Sequence, residues 1–333
     1  MATTVQGAFT EFMAQHVNLD ASETSKARSS RDWLRTQLGK AATSADDFPH
    51  SYEKKHIDYG SFARRTKKRQ LDDIDIIHCF GADGAFYTDH TTHVSITAES
   101  GTRLANYRHI DSSELNSRRM IRRVAKYLSG IEQYSSGGAN QNGVTATLRL
   151  KSYTWDFDIA PGFLTAPTLD GRSYYLIPDG RGHWMKTDPR VDRERITRIN
   201  KQHGGRFLDA VRLSKFWNRR PTMPSVLSYT FEALVARYYE ARTDVASPYL
   251  RLEFMLALEF IASNVHWAIQ DPKGIDGDIN TLSYEERTKV SERAQADAAR
   301  ARAALVSERD DGPEGAIRKW REILGPTFPP YTG

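Results

Sequence analysis

Cysteine is almost absent from this chain of 333 residues, which has a single thiol at Cys79. Disulfide frameworks and cysteine-based zinc sites each need several thiols, so both are excluded. Long apolar runs are also absent, because no window approaches the roughly 18 consecutive apolar residues that a membrane helix needs. The N-terminal residues lack the basic and then apolar layout of a secretory signal. These absences predict a cytoplasmic protein with no membrane partner.

Positive charge is in modest excess. The formal net charge is +5, which suits a phosphate-rich ligand without requiring one. The basic residues concentrate in two runs, residues 64–69 and residues 118–126. Solvated surfaces produce such runs as readily as nucleic-acid sites do. The charge therefore permits nucleic-acid binding but does not require it.

Hydrophobic periodicity divides the chain into two parts. Residues 1–165 mix helical and β-rich patterns, and the chain becomes helical nearly to its end after Pro189. We therefore predict an α+β fold with a mixed sheet and helices in residues 1–165, a helical lobe in 166–310 that closes a shared cleft, and an extended tail in 311–333. In the first part we predict helices over residues 6–17, 26–40 and 114–131. The predicted β-rich runs are residues 71–80, 93–100, 144–153 and 154–163.

Two of these predicted strands carry paired carboxylates. In residues 71–80, side chains alternate between faces, so Asp73 and Asp75 share one face of the strand. The same alternation puts Asp156 and Asp158 on one face of residues 154–163. Neighbouring carboxylates repel each other, and a divalent cation is the usual way to make such an arrangement favourable. The pattern suggests a metal site, although turns and surface strands also produce Asp-x-Asp by chance.

A Gly-Ser pair, Gly60-Ser61, precedes the first acidic strand by 13 residues. Glycine lets the backbone approach a phosphate, and the serine hydroxyl can bond its oxygens. The run GSFARRTKKRQLDDIDII resembles the motif of polymerase-β-like nucleotidyltransferases. More narrowly, the chain resembles the bacterial cGAS/DncV-like nucleotidyltransferases (CD-NTases) of CBASS antiphage systems. The supporting stretches are KARSSRDWL, YLIPDGRGHWMKTDP, LSKFWN, SYTFEALV and DPKGIDGDINTLSYEER.

This resemblance implies a catalytic site. Asp73, Asp75 and Asp158 correspond to the family's catalytic carboxylates, which hold two Mg²⁺ ions, with Mn²⁺ as a possible substitute. Asp156 shares the face of Asp158 and is the weaker candidate for the third carboxylate. The resemblance further implies nucleotide-binding roles for Gly60, Ser61, Lys215, Ser228 and Tyr229: the first four secure the donor triphosphate, and Tyr229 stacks on a base. Each of the last three also has a structural alternative, as a solvated lysine, a helix cap and a core aromatic residue.

The family activity would join ATP and other NTPs into a cyclic oligonucleotide, and we expect a purine cyclic dinucleotide such as cyclic GMP-AMP. Two alternatives remain: a linear-product transferase of the oligoadenylate synthase or RNA 3'-end type, and a catalytically silent nucleotide- or RNA-binding module. Animal cyclic GMP-AMP synthase reads DNA through a zinc-bearing insertion, which a chain with one cysteine cannot build. Zinc-dependent DNA sensing is therefore not expected.

The last residue of the sequence, Gly333, suggests a partner. Some CD-NTases end in glycine or alanine and are conjugated through that carboxylate by a ubiquitin-transfer-like protein of the same operon. The resemblance therefore makes an operon-encoded conjugation partner acting on Gly333 a hypothesis. The alternative is that a small flexible residue happens to stand there.

Overall fold

The computed structural model describes residues 2–134, 137–221, 224 and 226–333. They form two compact units, and the chain enters each more than once. The sheet unit comprises residues 21–63 and 71–190, and the helical unit comprises residues 1–20, 64–70 and 191–333. The predicted fold class, a mixed sheet with helices and a helical C-terminal part, is confirmed.

The sheet unit contains nine strands among the described residues. Their order is β1-β2-β7-β8-β9-β4-β3, and β6 pairs with β7 and with β5. Only β2 and β7 run parallel; the other pairs are antiparallel. The strands are β1 Ile57–Tyr59, β2 Asp73–Cys79, β3 Phe86–Asp89, β4 Val94–Thr97, β5 Gly138–Asn142, β6 Thr145–Arg149, β7 Asp156–Leu164, β8 Tyr175–Pro178 and β9 Trp184–Thr187.

Among the described residues, three α-helices lie within this unit: α2 Ala21–Ser44, the short α3 Gly60–Ala63, and α4 Ser117–Ser129. Asn116 caps α4, because its side chain accepts hydrogen bonds from the first backbone amides. Apolar residues at helical spacing, such as Met120, Val124 and Leu128, are buried against the sheet. Basic residues alternate with them, which explains the second basic run of the sequence.

The helix α2 packs on the sheet face that carries the isoleucines of β2. Arg31 and Arg35 form ion pairs with Asp58 of β1 at 3.0 and 3.4 Å. Asp58 pairs with Ile76 across the sheet, and residues opposite each other on paired strands share a face. Because side chains alternate along β2, Asp73 and Asp75 lie on the other face.

The helical unit is built around one continuous apolar core that contains Phe12, Trp217, Phe231, Phe254 and Trp320. Its helices are α1 Val5–Phe12, α5 Pro189–Gln202, which begins at the boundary, α6 Phe207–Asn218, α7 Ser228–Glu240, α8 Leu250–Asn264, α9 Tyr284–Asp310 and α10 Pro313–Leu324. A π-helical turn, Met13–Val17, extends α1. The helix α9 is rich in charged residues, yet it buries Ala294, Ala298, Ala301 and Ala304.

The structure divides the chain differently from the predicted domains 1–165, 166–310 and 311–333. The N-terminal helix and residues 64–70 belong to the helical unit, and residues 166–190 stay in the sheet unit. The predicted extended tail contains α10, which begins with Pro313 at its first turn and ends at Gly325, whose φ is 94°. Its apolar residues are buried, so packing against the core explains why this segment is helical.

One local expectation also changed. The glycines and asparagines of residues 135–143 predict a loop, but residues 138–142 form β5 and pair with β6 along their whole length. Residues 135 and 136 of that predicted loop lie outside the described residues. No helix in the described part of the chain combines the length and apolar character that crossing a bilayer requires.

Candidate active site

Gly60 stands at the junction of β1 and α3, against the acidic strand β2. Its φ is 70°, a conformation that favours glycine. The preceding residue, Tyr59, pairs with Asp75. A Cβ atom on Gly60 would lie 1.8 Å from Oδ2 of Asp75, so no other residue fits without moving the carboxylate. The predicted Gly-Ser pair and the predicted acidic strand are therefore in direct contact, and the half-buried Ser61 follows in α3.

Four carboxylates share one face of the sheet at the start of β2 and β7. The parallel register pairs Asp73 with Asp156 and Asp75 with Asp158. All four side chains are partly exposed, whereas the residues between them, such as Ile74 and Phe157, are buried. The strand alternation inferred from the sequence is therefore present in both strands, and the register brings the two acidic pairs side by side.

The electrostatics around Tyr59 reflect this clustering of negative charge. Burial raises the pKa of the Tyr59 phenol well above its usual value, and the charges of Asp75, Asp158 and Asp73 raise it further. The hydroxyl of Tyr59 therefore stays neutral beside the carboxylates. Burial also raises the pKa of Asp156, and the neighbouring charge of Asp158 acts in the same direction.

Asp158 and Asp156 differ in what holds them. The hydroxyls of Thr145 and Thr147, on the neighbouring strand β6, both donate hydrogen bonds to Oδ1 of Asp158. Asp156 instead faces the exposed Arg149, whose Nε lies 3.8 Å from its carboxylate. Asp158 is thus fixed by two neutral donors that leave its charge uncompensated, whereas Asp156 has a cationic partner.

The residues suit a divalent metal in their donor type and in their backbone positions. Hard cations such as Mg²⁺ take carboxylate oxygens, and the strand register places Asp73, Asp75 and Asp158 together. As their side chains stand, however, no three His, Cys, Asp or Glu residues in the described part of the chain converge on a point that could hold a metal ion.

The other predicted nucleotide-binding residues, Lys215, Ser228 and Tyr229, lie in the helical unit. Lys215 is 5% exposed, and its Nζ atom lies 3.1 Å from Oε2 of the buried Glu232. Glu232 also accepts hydrogen bonds from Arg64 and Thr66, each at 2.6 Å. Burial alone would raise the pKa of Glu232, but Arg64 and Lys215 outweigh it and lower the pKa to about 2.

Tyr229 belongs to a second polar network in the same unit. Its hydroxyl lies 2.8 Å from Asp192 and 3.1 Å from Asp271, and Lys273 donates to it at 2.8 Å. Arg64 lies over its ring at 5.3 Å, which links this network to Glu232. Ser228 is the first residue of α7, and the N-cap position before it is held by Leu227, which makes no side-chain cap.

Comparison with known proteins identifies the family. No protein-family model matches the chain. A protein of Bacillus cereus strain VD146, named probable cyclic nucleotide synthase, is 35% identical over 336 residues, covering 99% of this chain and 99% of its own length. The chain belongs to the bacterial cGAS/DncV-like nucleotidyltransferases. It is therefore an enzyme of the cyclic oligonucleotide synthase class, as the sequence predicted.

A second relative of this nucleotidyltransferase is the cyclic AMP-AMP-AMP synthase of Acinetobacter sp. strain ATCC 27244 / 9458. It is 32% identical over 183 residues, which cover 52% of this chain and 51% of that protein. Solved structures agree in fold at low sequence identity. CdnC of E. coli MS115-1 with ATP has a TM-score of 0.71 at 16% identity, covering 97% of this chain and 98% of that one. The Vibrio cholerae cyclic AMP-GMP synthase DncV, described as a prokaryotic cGAS homologue, has a TM-score of 0.65 at 10% identity over 98% and 96%.

The structure of the nucleotidyltransferase also reveals site neighbours that the sequence did not indicate. Thr145 and Thr147 alternate along β6 like the Asp residues of β7, but their pairing with Asp158 depends on which strands are neighbours. The sequence indicates Arg64 only as part of a basic run, and it gives no signal that Glu232 is the partner of Lys215. Gly333 is exposed, two residues beyond Tyr331, which pairs with Ala2. Its conjugation stays a prediction.

Proposed function

We propose that this nucleotidyltransferase joins ATP and other NTPs into a cyclic purine oligonucleotide, using Asp73, Asp75 and Asp158 as its catalytic carboxylates. One observation carries the proposal: the parallel register of β2 and β7 sets these carboxylates on one face, with Gly60 in contact with Asp75. Phosphoryl transfer needs charge neutralisation and in-line alignment more than covalent work by the protein. A carboxylate cluster that can hold metal ions, beside a Gly-Ser turn that can bind phosphate, suits these two requirements.

Each residue has a proposed task. Asp73 and Asp75 would hold the donor triphosphate through a metal, and Asp158 would help to orient the attacking ribose hydroxyl. That hydroxyl attacks the α-phosphorus of the donor, a new phosphodiester forms, and pyrophosphate leaves with the electrons of the broken bond. Two Mg²⁺ ions, when bound, neutralise the charge that develops on the phosphate and lower the pKa of the hydroxyl. A second transfer by the same residues would close the ring.

Lys215, Ser228 and Tyr229 complete the proposal as nucleotide contacts, as the family resemblance implies. Ser228 suits a phosphate contact because it opens α7, where unpaired backbone amides and the helix dipole favour an anion. Lys215 would have to exchange Glu232 for the triphosphate, since its Nζ atom is paired with that carboxylate. Tyr229 already has cations over its ring and polar partners at its hydroxyl, so base stacking requires these neighbours to rearrange.

The ring size has two candidates. We propose a purine cyclic dinucleotide such as cyclic GMP-AMP, and the similarity to the Acinetobacter cyclic AMP-AMP-AMP synthase makes a ring of three adenylates the second candidate. Mass spectrometry of the product formed from all four NTPs and Mg²⁺ distinguishes them. We expect a mass of two linked purine nucleotides, and three adenylates would replace that proposal by the second.

The cyclic product itself is testable against the linear alternative. After incubation with NTPs and Mg²⁺, phosphatase treatment leaves a ring intact because it has no terminal phosphate. We expect a phosphatase-resistant product on chromatography. A product that loses its phosphates would identify a linear transferase of the oligoadenylate synthase or RNA 3'-end type, and no NTP consumption would identify a silent binding module.

The carboxylate site is tested by substitution. Asp73→Asn with Asp75→Asn, and Asp158→Asn alone, should each lower NTP consumption at least about a thousandfold, because the charge that neutralises the metal is lost. Asp156→Asn is the matched control, from the same strand and face, and should keep activity within a few-fold. Circular dichroism checks that each variant folds. If Asp156→Asn is the inactive variant and Asp158→Asn is active, the assignment of the third carboxylate is wrong.

We propose that the cellular role is cytoplasmic antiphage defence in a CBASS-type system, because the sequence resembles the CD-NTases of such systems. Bacteria expressing the gene with its neighbouring genes should plate phage at lower efficiency than bacteria expressing the Asp73→Asn, Asp75→Asn variant. Equal plating of the two strains would remove this role while leaving the enzymatic proposal untouched.

A further inference from the structure

The sheet unit contains a cavity of about 480 Å³ beside the start of α2. Its wall combines aromatic rings with basic groups, and none of the described residues that line it is acidic. Hydroxyls of several serines complete the lining. The aromatic and basic lining residues are Trp33, Tyr134, Tyr153, Lys26, Arg149 and Lys151.

A buried polar atom lies in this wall without a partner. Tyr134 is 7% exposed, and its hydroxyl has no hydrogen-bond partner among the described residues. Burying a hydroxyl without a hydrogen bond is unfavourable, so most buried polar groups have a protein or ligand partner. Burial also raises the pKa of Tyr134, which keeps the hydroxyl as a donor. The hydroxyl is itself enclosed, so a ligand in the cavity would reach this donor only after side chains of the wall move.

Two aromatic rings at the cavity stay exposed. Trp33 is 36% exposed and packs edge-on against Tyr134, with ring centroids 5.2 Å apart. Tyr153 is 44% exposed and stacks on the buried Trp155 at 4.4 Å. Rings held rigid by a second ring and still open to solvent suit the flat face of a nucleobase.

The cavity is separate from the proposed active site. None of Asp73, Asp75 and Asp158 lines it. Its α2 wall belongs to a helix that is bound by ion pairs to Asp58, on the sheet face opposite the carboxylates. Arg149 and Leu150 relate the two, because both line the cavity, the Nε atom of Arg149 lies 3.8 Å from Asp156, and the backbone of Leu150 hydrogen-bonds to Asp156.

We propose that this cavity binds a mononucleotide, with the phosphate near Lys26, Arg149 and Lys151 and the base against Trp33 and Tyr153. The cavity volume lies within the range of small-molecule sites. An apolar ligand would leave the basic groups unused, and a simple anion would leave the aromatic rings unused. A nucleotide uses both parts of the wall, and its base or ribose can accept a hydrogen bond from Tyr134. The inference does not depend on the proposed catalytic function.

Calorimetric titration with AMP tests the proposal. The protein is the full chain with Asp73→Asn and Asp75→Asn, in EDTA, so that metal-dependent binding at the carboxylates is removed. We expect AMP to bind at least tenfold more tightly than inorganic phosphate. Lys26→Glu with Lys151→Glu should weaken AMP binding at least tenfold, and Tyr134→Phe several-fold. Lys54→Glu with Lys126→Glu, an equal charge change at exposed residues outside the cavity, should leave it unchanged.

A second measurement locates the ligand without relying on charge reversal. Photo-crosslinking with 8-azido-AMP, followed by peptide mapping, should label peptides that contain Trp33, Tyr134 or Tyr153. Labelling elsewhere, AMP affinity that is unchanged by Lys26→Glu with Lys151→Glu, or phosphate that binds as tightly as AMP would overturn the proposal. So would a single-stranded RNA pentamer that binds more than a hundredfold more tightly than AMP, because the surface would then be an RNA interface.

Discussion

Gly60 combines two constraints that are usually met separately. Its φ of 70° disfavours any side chain, and a Cβ atom there would occupy the position of the Asp75 carboxylate. The residue therefore determines the backbone of the Gly-Ser turn and also leaves room for the carboxylate of Asp75, which we propose is catalytic. Backbone strain alone would affect stability, whereas the close approach to Asp75 would affect catalysis.

Substitution of Gly60 separates these two effects. We expect Gly60→Ala to lower NTP turnover at least about a hundredfold, because the methyl group displaces Asp75 from its place. The strain of alanine at positive φ should cost only about 1–2 kcal/mol of unfolding free energy. Gly171→Ala is the control, since Gly171 has a φ of 79° and nothing within 4 Å of the added methyl. It should lose comparable stability and no activity, as measured by urea unfolding and turnover.

The sequence contains enough information to predict the acidic faces but not their surroundings. Alternation along a strand is a local property, so Asp73 with Asp75 and Asp156 with Asp158 could be placed on common faces before the structure was known. The hydroxyls that hold Asp158 could not be predicted, because Thr147 meets it only through the pairing of β6 with β7. Strand pairing depends on the whole sheet, which a single sequence does not specify.

Among the helices, α6 and α7 are joined by the buried cluster of Lys215 and Glu232. A buried ion pair is costly to break, because the partner left behind is an uncompensated charge. Glu232→Gln should therefore lower the unfolding free energy by about 3–5 kcal/mol. This cost would arise whether or not Lys215 ever contacts a triphosphate.

Two variants of this cluster isolate the proposed phosphate contact. Lys215→Met and Glu232→Gln break the same ion pair, but only Lys215→Met removes a cation that ATP could use. We expect Lys215→Met to raise the KM for ATP about tenfold or more, whereas Glu232→Gln leaves KM near its original value. Steady-state kinetics below the melting temperature of both variants provides the comparison. Equal KM values would show that Lys215 is purely structural.

Strand β2 also carries a pair of stacked histidines, His56 beside the strand and His78 within it, with ring centroids 4.3 Å apart. Burial, and next the charge of Arg35, lower the pKa of His56 to about 4, and burial also holds the pKa of His78 well below its usual value. Both rings are therefore neutral in the folded protein, and the backbone amide of Cys79 donates to Nδ1 of His56 at 2.9 Å.

This pair predicts how stability depends on pH. The unfolded chain protonates its histidines near pH 6.5, and the folded chain resists protonation until about pH 4. The buried neutral histidines cost no unfolding free energy above pH 6.5, where the unfolded chain is neutral too. As the pH falls from 6.5 toward 4, the unfolded chain gains protons that the folded chain does not, so the unfolding free energy falls. Each histidine adds a slope of up to about 1.4 kcal/mol per pH unit. Urea unfolding between pH 7.5 and 4.5 should show this decline, and His56→Gln should make the slope shallower.

Prediction of the elements succeeded where the periodicity was strong. Helix α4 and strands β2 and β7 have regular apolar spacing, and the structure places them close to the predicted ranges. Strand β5 has none, since only Ala139 of its five residues is buried. Its extended form comes from pairing with β6. Helix α10 did have a signal, in the proline that begins it and the glycine that ends it, but the prolines beyond it led to the prediction of an extended tail.

At the scale of the whole molecule, the position of a helix in the sequence does not tell which unit it packs in. Phe12 of α1 is fully buried in the helical unit, where its ring packs against Phe216 and Phe328 at 5.1 Å each. The helix was predicted to belong to the nucleotidyltransferase core. Its apolar spacing was visible in the sequence, but the partner of an apolar face depends on tertiary packing, which the spacing does not specify.

Truncation of this ring tests where α1 belongs. Phe12→Ala should lower the unfolding free energy by about 3–5 kcal/mol, because it opens a cavity in the core that contains Phe216 and Phe328. Phe86→Ala is the control, since Phe86 is 59% exposed and should change stability by less than about 0.5 kcal/mol. Hydrogen exchange should show the loss of protection in α6 and α10. A loss confined to the sheet unit would contradict this placement.

Residues 64–70 leave the sheet unit between Ser61 and Asp73 and return after a short excursion. In that excursion Arg64 and Thr66 bind Glu232, and Arg69 donates to the backbone of Asn18 at 3.0 Å. The segment between the Gly-Ser turn and the acidic strand is therefore held in place by contacts and is not a free linker. Deletions there would remove these contacts, whereas inserted residues could loop out and leave the contacts intact. An engineered sensor domain should therefore be inserted at this point without removing any of residues 64–70.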